Sequence, residues 1–599
     1  MTLMIKKRKQ AIIVFIVLFF SLFLRIQNLW FPIGADMHAF RQTETAIIIQ
    51  NYFNDGFSLF QYEMPVLGQP WKIPFEFPIY QSIVYFVMKI LHKTNIDVWC
   101  RLISLCSFYL STFVLGKVAG LVADKKSVKC ICIVYLFAPF TILWSRAALI
   151  DYMSVLFALV YVWGLYSWLV EEKKTFIATL VFGCLAYLLK ATTMFPYVFF
   201  LSYLIIDFFL HQILNQYGKV NVSIIFKYII ENKMRIIGVI LLCLIPVLPG
   251  ICWTKYADSI KTQSIYTRSL TSQALHNWNY GTMDQRLSIS NWEIILKRLV
   301  DYIGGKTIAA CLCVAYFFAK KKKNLSLIIN CGIAIILTIF LLFNLYYVHD
   351  YYMIALTPLL SILYGTIFFT VLDELYSMKN VGKRAVCIAT VLIVCAQIRT
   401  NSHYLKYAMK MSAEENNTSW YIESGNYIES ITAENERILI EGEDWNPAIL
   451  YYANRKGMMI SNPNSVDSSF FTEFLEEEKY TTLLTHSIVF VDALAQYYDV
   501  LVQYPRYEEA YVYKFYHEPS EISFNQGDAN HVIKVKYDNV TEPIEINAIF
   551  VDVNGKEVRN TINLLANKKE IYYNVSDICP NVRSVRFDVP EGTGISVEY

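Results

Sequence analysis

The stretch GADMHAFRQTETA at positions 34–46 packs Asp36, His38, Arg41, Gln42 and Glu44 into nine consecutive residues. Side chains of these types could set a cation and hydrogen-bond donors beside a carboxylate, and polar groups this dense at a membrane exit need a reason. A helix starting just after Asp36 would carry His38, Arg41 or Gln42, and Thr45 on one face. Taken alone, the stretch reads as a solvated helix with Asp36 as its N-cap. The surrounding chain changes that reading.

The sequence of 599 residues is 55% hydrophobic and 16% aromatic, with mean hydropathy +0.37. That composition points to a polytopic membrane protein, and the length to more than one domain. A net charge of +3 with no basic tail or stripe gives nucleic acid no footprint. The N-terminal MTLMIKKRKQ precedes an apolar run over 11–30 that lacks a small-residue cleavage site, so it is expected to remain as a signal-anchor helix with its basic end in the cytoplasm. The cysteines lie mostly inside apolar runs and never repeat a ligand-type spacing, which favours packing over metal binding.

Apolar runs of near-spanning length fall at 11–30, 98–122, 127–144, 150–170, 174–190, 194–213, 234–253, 305–319, 325–345, 351–371 and 384–399. A shorter run at 79–91 follows the Pro-rich WKIPFEFP. With about eleven crossings and 79–91 lying along the interface, the lysine-bearing connections all fall on the cytoplasmic side. The same parity places the first loop, the 145–151 and 190–193 turns, the 254–301 loop, the 346–350 turn and everything after 397 outside the cytoplasm. Asp36, Arg41, Lys72, Arg146, Asp151, Lys190, His349 and Asp350 then form a ring at one membrane depth. Ionisable groups persist at the hydrocarbon edge mainly where they pair or bind something.

Four segments carry a resemblance. They are the Asp36-containing turn and polar helix, the stretch EFPIYQSIVYF from Glu76, the segment SRAALIDYMSVLFAL from Ser145, and YYVHDYYMIALTP from Tyr346. Over residues 1–400 the chain resembles the GT-C glycosyltransferases, in particular the protein O-mannosyltransferase and aminoarabinose transferase group. The resemblance implies a GT-C-like helical domain and an inverting transfer of a sugar from a polyprenyl-phosphate donor to an acceptor hydroxyl on a glycan, lipid or protein. Asp36 is then expected to take the acceptor's proton. Arg41 and His349 lead the donor-phosphate contacts, followed by Arg146, Lys190 and Lys72. His38, Gln42, Glu44, Glu76, Asp151, Asp350 and Tyr351 are expected to bind substrate or support the site. The chain has Met37 where the family often has Glu, and Glu76-Phe77 before Pro78 where the group tends to have Lys and Pro. No cofactor is expected, and a single-phosphate donor does not call for a metal. The membrane lipid is a partner. The rival reading is a transporter or flippase of lipid-linked sugars, and a third is a noncatalytic envelope-polymer protein.

Hydropathy falls after Gln397. RILIEG, GMMISN and HSIVFVD read as strands, while DWNPAILYYANR and DSSFFTEFLEEEKY read as helices, giving an extracytoplasmic α/β domain at 401–518. The alternating segments HVIKVKY, IEINAIFVDV, EIYYNV and VRSVRFDV predict a β-sandwich at 519–599.

Overall fold

Long apolar runs become helices here because a helix satisfies its own backbone groups where lipid offers no hydrogen-bond partner. The computed structural model describes residues 2–27, 29–319, 324–377, 419–460, 480–507, 510–516, 532–590 and 592–598. It divides into two units, Met1–Tyr62 with Pro74–Asn417, and Glu63–Ile73 with Thr418–Tyr599.

The first unit is helical. Its leading elements are α1 (Thr2–Ile26), α2 (Ala39–Asn54), α3 (Ile79–Ile90), α4 (Ile96–Val122), α5 (Ser127–Phe137), α6 (Pro139–Trp144), α7 (Asp151–Glu171) and α8 (Phe176–Tyr217). Later come α9 (Ile289–Asp301), α10 (Lys306–Phe318), α11 (Leu325–Leu341) and α12 (Thr357–Ser377). Among the described residues, five helices are long and apolar enough to cross a membrane: α4, α7, α8, Lys233–Lys261 and Asp350–Glu374. A sixth span arises if α9 and α10, bent by 76° at their junction, count together. The chain is a multi-pass membrane protein.

Several expected crossings take a different form. The run at 127–144 is divided where Pro139, which has no N–H to give, opens α6 as a new helix. Helix α11 and the apolar part of α1 are shorter than a full span. The run at 384–399 lies outside the described residues. The runs at 174–190 and 194–213 join in the 42-residue α8, interrupted at Lys190, whose φ of −163° and ψ of 93° are not helical. A straight helix of that length would reach about 63 Å, twice the hydrocarbon thickness; the break at Lys190 divides it into a shorter piece, 176–189, and a longer one, 191–217. Helix α3 has 12 residues, about 18 Å, too short to cross.

The core of this unit interleaves α4, α5, α7, α8, α11 and α12. Helices α5 and α12 touch backbone to backbone, and a Cβ on Gly365 would lie 2.5 Å from the Ile131 Cα. A fully buried cation, Arg25 of α1, lies 4.4 Å over the Phe108 ring. Its guanidinium donates to the Ser145 hydroxyl at 2.8 Å, the Leu136 carbonyl at 2.8 Å and the Ser21 carbonyl at 3.0 Å. Desolvating a charge is costly unless its donors are used, and this set ties α1 to the turn that follows α6.

The second unit holds strands β1 (Arg437–Glu441), β2 (Lys456–Ile460), β3 (Tyr480–Thr485), β4 (Val500–Tyr507), β5 (Ala510–Tyr516), β6 (Val532–Tyr537), β7 (Ile544–Asp552), β8 (Glu557–Leu564), β9 (Glu570–Asn574), β10 (Val582–Asp588) and β11 (Ile595–Glu598). They form an eight-stranded sheet in the order β11-β6-β9-β4-β5-β3-β1-β2 and a three-stranded sheet in the order β10-β7-β8. β1 pairs in parallel with both β2 and β3, as the α/β pattern predicts. One continuous sheet runs across the boundary expected at 518/519, because β6, β9 and β11 join it while β7, β8 and β10 stand apart.

The segment HSIVFVD does not form the expected strand. The Ser487 side chain accepts from the Phe490 N–H at 3.2 Å and caps a helix at Ile488–Ala495, and the strand lies just before it. The helix expected over 467–480 falls outside the described residues up to 479. The first loop also departs from its expected assignment to the membrane domain, because Glu63–Ile73 folds with this second unit. It does so as sheet augmentation: Gly457 N–H donates to the Pro65 carbonyl at 3.1 Å, Met459 N–H donates to the Val66 carbonyl at 2.9 Å, and Lys456 pairs with Glu63 at 2.6 Å.

Candidate active site

Helix α2 begins at Ala39, two residues later than a start just after Asp36 would give. His38 occupies the N-cap in the left-handed region, φ 52° and ψ 44°, with no side-chain capping bond. Asp36 is therefore not the helix cap. Its Oδ1 accepts from the Met37 N–H at 2.8 Å, and its Oδ2 pairs with Arg101 of α4 at 2.8 Å. Both side chains are buried, 6% exposed for Asp36 and 0% for Arg101. Burial alone would raise the Asp36 carboxyl, but the charges of Arg101 and Arg146 outweigh it and hold the group below its ordinary value. Arg101 also donates to the Arg146 carbonyl at 3.4 Å, which fixes the turn after α6 against α4.

One turn into α2, Arg41 pairs with both Glu44 and Glu76, from the same helix and from the first loop respectively. The two carboxyls diverge. Burial drives Glu44 upward despite Arg41, while Arg41 and Lys190 outweigh the same burial at Glu76 and lower it. Glu44 is thus the carboxyl pushed toward protonation, and its buried Oε2 has no hydrogen-bond partner among the described residues. These groups line a small cavity with Tyr62 and Gln81. Gln42 bridges inward, donating to the Met37 carbonyl and accepting from the Ala148 N–H, each at 2.8 Å.

Lys190, at the break in α8, pairs with Asp151 at the start of α7 at 2.7 Å, with side chains 4% and 2% exposed. Its ammonium lies 4.8 Å from the Tyr352 ring centre and 5.4 Å from that of Tyr351. The two tyrosines stack at 4.6 Å. They belong to the tight turn Asp350–Leu356, where His38 arrives from α2. His38 Nε2–H donates to Asp350 Oδ1 at 2.9 Å. The His38 ring lies 5.1 Å from Tyr351, 5.4 Å from Trp144 and 5.5 Å from His349.

The 254–301 loop folds into short helices docked on this turn. Trp278 lies 6.0 Å from His349, Asn344 donates to the Trp278 carbonyl at 2.8 Å, and Arg298 donates to the Tyr347 carbonyl at 3.0 Å.

Burial and His38 push His349 down to about 4, so at neutral pH it offers a hydrogen bond and no charge. A neutral ring inside the fold implies a pH effect. The unfolded chain takes the proton first, so the stability it contributes is complete above the ordinary value of 6.5 and is lost as pH falls toward about 4. His349→Gln is expected to flatten the fall in Tm across that window, measured by thermal unfolding of both proteins at a series of pH values.

Asp36, His38, Arg41, Gln42, Glu44, Glu76, Arg146, Asp151, Lys190, His349, Asp350 and Tyr351 all lie in the first unit, linked by the contacts above. Lys72 lies in the segment that folds with the second unit. Nothing in the spacing singles out Arg101 or Trp144. A lone arginine inside an apolar run was the available signal for Arg101, since such a charge needs a partner.

No protein-family profile matches the chain, and no curated protein matches it. Solved structures do. ArnT from Cupriavidus metallidurans bound to undecaprenyl phosphate superposes with a TM-score of 0.53 at 12% identity, over 86% of this chain and 99% of that one. The fold is that of the GT-C glycosyltransferases. The apo form of ArnT gives a TM-score of 0.51 at 13% identity, over 86% of this chain and 100% of that one. The archaeal oligosaccharyltransferase AglB from Archaeoglobus fulgidus, in complex with an inhibitory peptide and a dolichol-phosphate, gives 0.50 at 11% identity, over 99% of this chain and 96% of that one. Within this GT-C fold, the polar cluster is assembled from the first loop and α2, the start of α7, the break in α8 and the turn before α12.

Proposed function

We propose that this chain is an inverting glycosyltransferase that moves a sugar from a polyprenyl-phosphate donor to a hydroxyl of a glycan, lipid or protein at the outer face of the cytoplasmic membrane. One observation carries the reading: residues distant in sequence bring paired carboxylates, buried cations and stacked tyrosines into one cluster. It is supported by the fold shared with a transferase that holds undecaprenyl phosphate.

In the reaction, the acceptor oxygen attacks C1 of the sugar while the bond from C1 to the phosphate oxygen breaks. The leaving phosphate gains negative charge, so fixed cations at its oxygens lower the barrier. Arg41 and Lys190 fill that role in the proposal, with Tyr351 beside them and His349 giving a neutral N–H. Their partners Glu44, Glu76 and Asp151 hold these cations in place before the donor arrives. Asp36 has both oxygens engaged and its pKa held down, which makes it a weak base. Its role here is to fix Arg101 and the Arg146 turn beneath the sugar.

The test is incubation of the purified full-length protein in lipid nanodiscs with a panel of undecaprenyl-phosphate sugars, following release of undecaprenyl phosphate. Release from at least one donor, with the anomeric configuration of the product inverted, is the expected result. Movement of labelled donor between leaflets with no release from any of the panel would replace this reading with a transporter.

A further inference from the structure

If Asp36 is engaged at both oxygens, the acceptor's proton needs another destination. Building on the transferase reading above, we infer that His38, oriented by Asp350, is the general base of the reaction. A carboxylate oxygen can only accept, so the 2.9 Å contact with Asp350 Oδ1 places the ring proton on Nε2. That leaves Nδ1 with its lone pair available, and among the described residues it makes no hydrogen bond. The side chain is neither sealed in nor fully solvated, at 26% exposed beside 25% for Asp350. His38 also adopts a left-handed conformation, φ 52°, that a residue with a side chain rarely takes without compensation. From this position the ring lies against Trp144, His349 and Tyr351.

The step balances. The acceptor hydroxyl gives its proton to His38 Nδ1, its oxygen forms the new bond to C1, and the pair from the broken bond stays on the departing phosphate. The imidazolium formed is offset by Asp350, and the charge gained by the phosphate is met by Arg41 and Lys190. The base is thereby placed two residues along the chain from Asp36, with Met37 between them.

Groups facing the ring from each packed element bear on its titration. Asp350, His349 and Tyr351 do so from the 349–351 turn, with Lys190 of α8 behind Tyr351 and with Arg41 of α2 and Arg298 of α9 acting on the adjoining His349. Of these, only Asp350 is hydrogen-bonded to the ring. Asp350 is a positioning residue, and its effect is read in the pH profile.

Two variants of the full-length protein test this in nanodiscs with the undecaprenyl-phosphate sugar panel. His38→Gly suits the left-handed backbone and removes the base. It is expected to release undecaprenyl phosphate about 10²- to 10⁴-fold more slowly, to bind donor as before, and to regain rate on adding imidazoles, more so with more basic ones. Asp350→Asn is expected to shift the acid limb of kcat to lower pH, since losing the facing carboxylate favours the neutral ring. Wild-type rates in His38→Gly, a loss that no imidazole restores although donor binds normally, or an acid limb unmoved by Asp350→Asn would each overturn the assignment. Absence of release from every donor by the wild-type protein would instead remove the transferase reading beneath it.

Discussion

Asp36→Asn is expected to cost the protein about 3–5 kcal/mol and most of its donor turnover, because it leaves a buried guanidinium without its carboxylate. The partner is Arg101, whose side chain is wholly buried in α4. Asn keeps the shape and can still accept from the Met37 N–H, so the substitution isolates the charge. The charge of Arg146 adds to the repulsion left behind, since it too acts on Asp36 in the folded protein. Thermal unfolding of the purified variant reads the stability loss, and release of undecaprenyl phosphate reads the turnover, expected to fall about 10²-fold or more as the site's electrostatic arrangement is lost. Adding Arg101→Met removes the orphaned cation, and the double variant is expected to recover much of the Tm without recovering turnover. An unchanged Tm in Asp36→Asn would mean that the pair does not hold α4 to the first loop.

Lys190→Met is expected to be nearly as damaging, for the mirror-image reason. Asp151, 2% exposed, would be left as a buried carboxylate without its ammonium partner, again at a cost of about 3–5 kcal/mol. The methionine chain fills much the same volume as the lysine stem, so packing changes little. The pair Asp151→Leu with Lys190→Met separates two roles. If Lys190 only neutralises Asp151, the double variant regains both stability and turnover, as replacement of a buried ion pair by apolar groups often allows. If Lys190 also meets the donor phosphate, as proposed, stability returns and donor affinity does not. A titration of undecaprenyl phosphate binding to the double variant distinguishes them.

The helical fold was readable because long apolar runs have few alternatives in lipid, and the polar stretch at 34–46 was readable because so dense a cluster needs a cause. The partners were not. Asp36 meets Arg101 across 65 positions of chain, and Lys190 meets Asp151 only because α7 and α8 pack side by side. Spacing in sequence carries no information about such meetings. Breaks within apolar runs are partly legible: Pro139 announces one, whereas the interruption at Lys190 carries no Pro or Gly of its own and coincides with its buried pairing to Asp151. In the second unit, alternation located β1, β2, β6, β7, β9 and β10. The β-branched and aromatic run Ile488–Val491 has the composition of a strand, and one hydroxyl, the Ser487 cap, accompanies its folding as helix. That β6, β9 and β11 extend the same sheet as β1 to β5 depends on long-range pairing, such as β4 with β9, which no local pattern records.

The most direct measurement is the position of the phosphorus in a cryo-electron microscopy structure of the full-length protein with undecaprenyl phosphate bound. The account predicts the phosphate within hydrogen-bond reach of Arg41 or Lys190 and beside Tyr351, with Asp36 still on Arg101 and the His38 Nδ1 facing the space where C1 would lie. A phosphate held elsewhere in the helical unit, with this cluster closed on itself and unchanged, would contradict it.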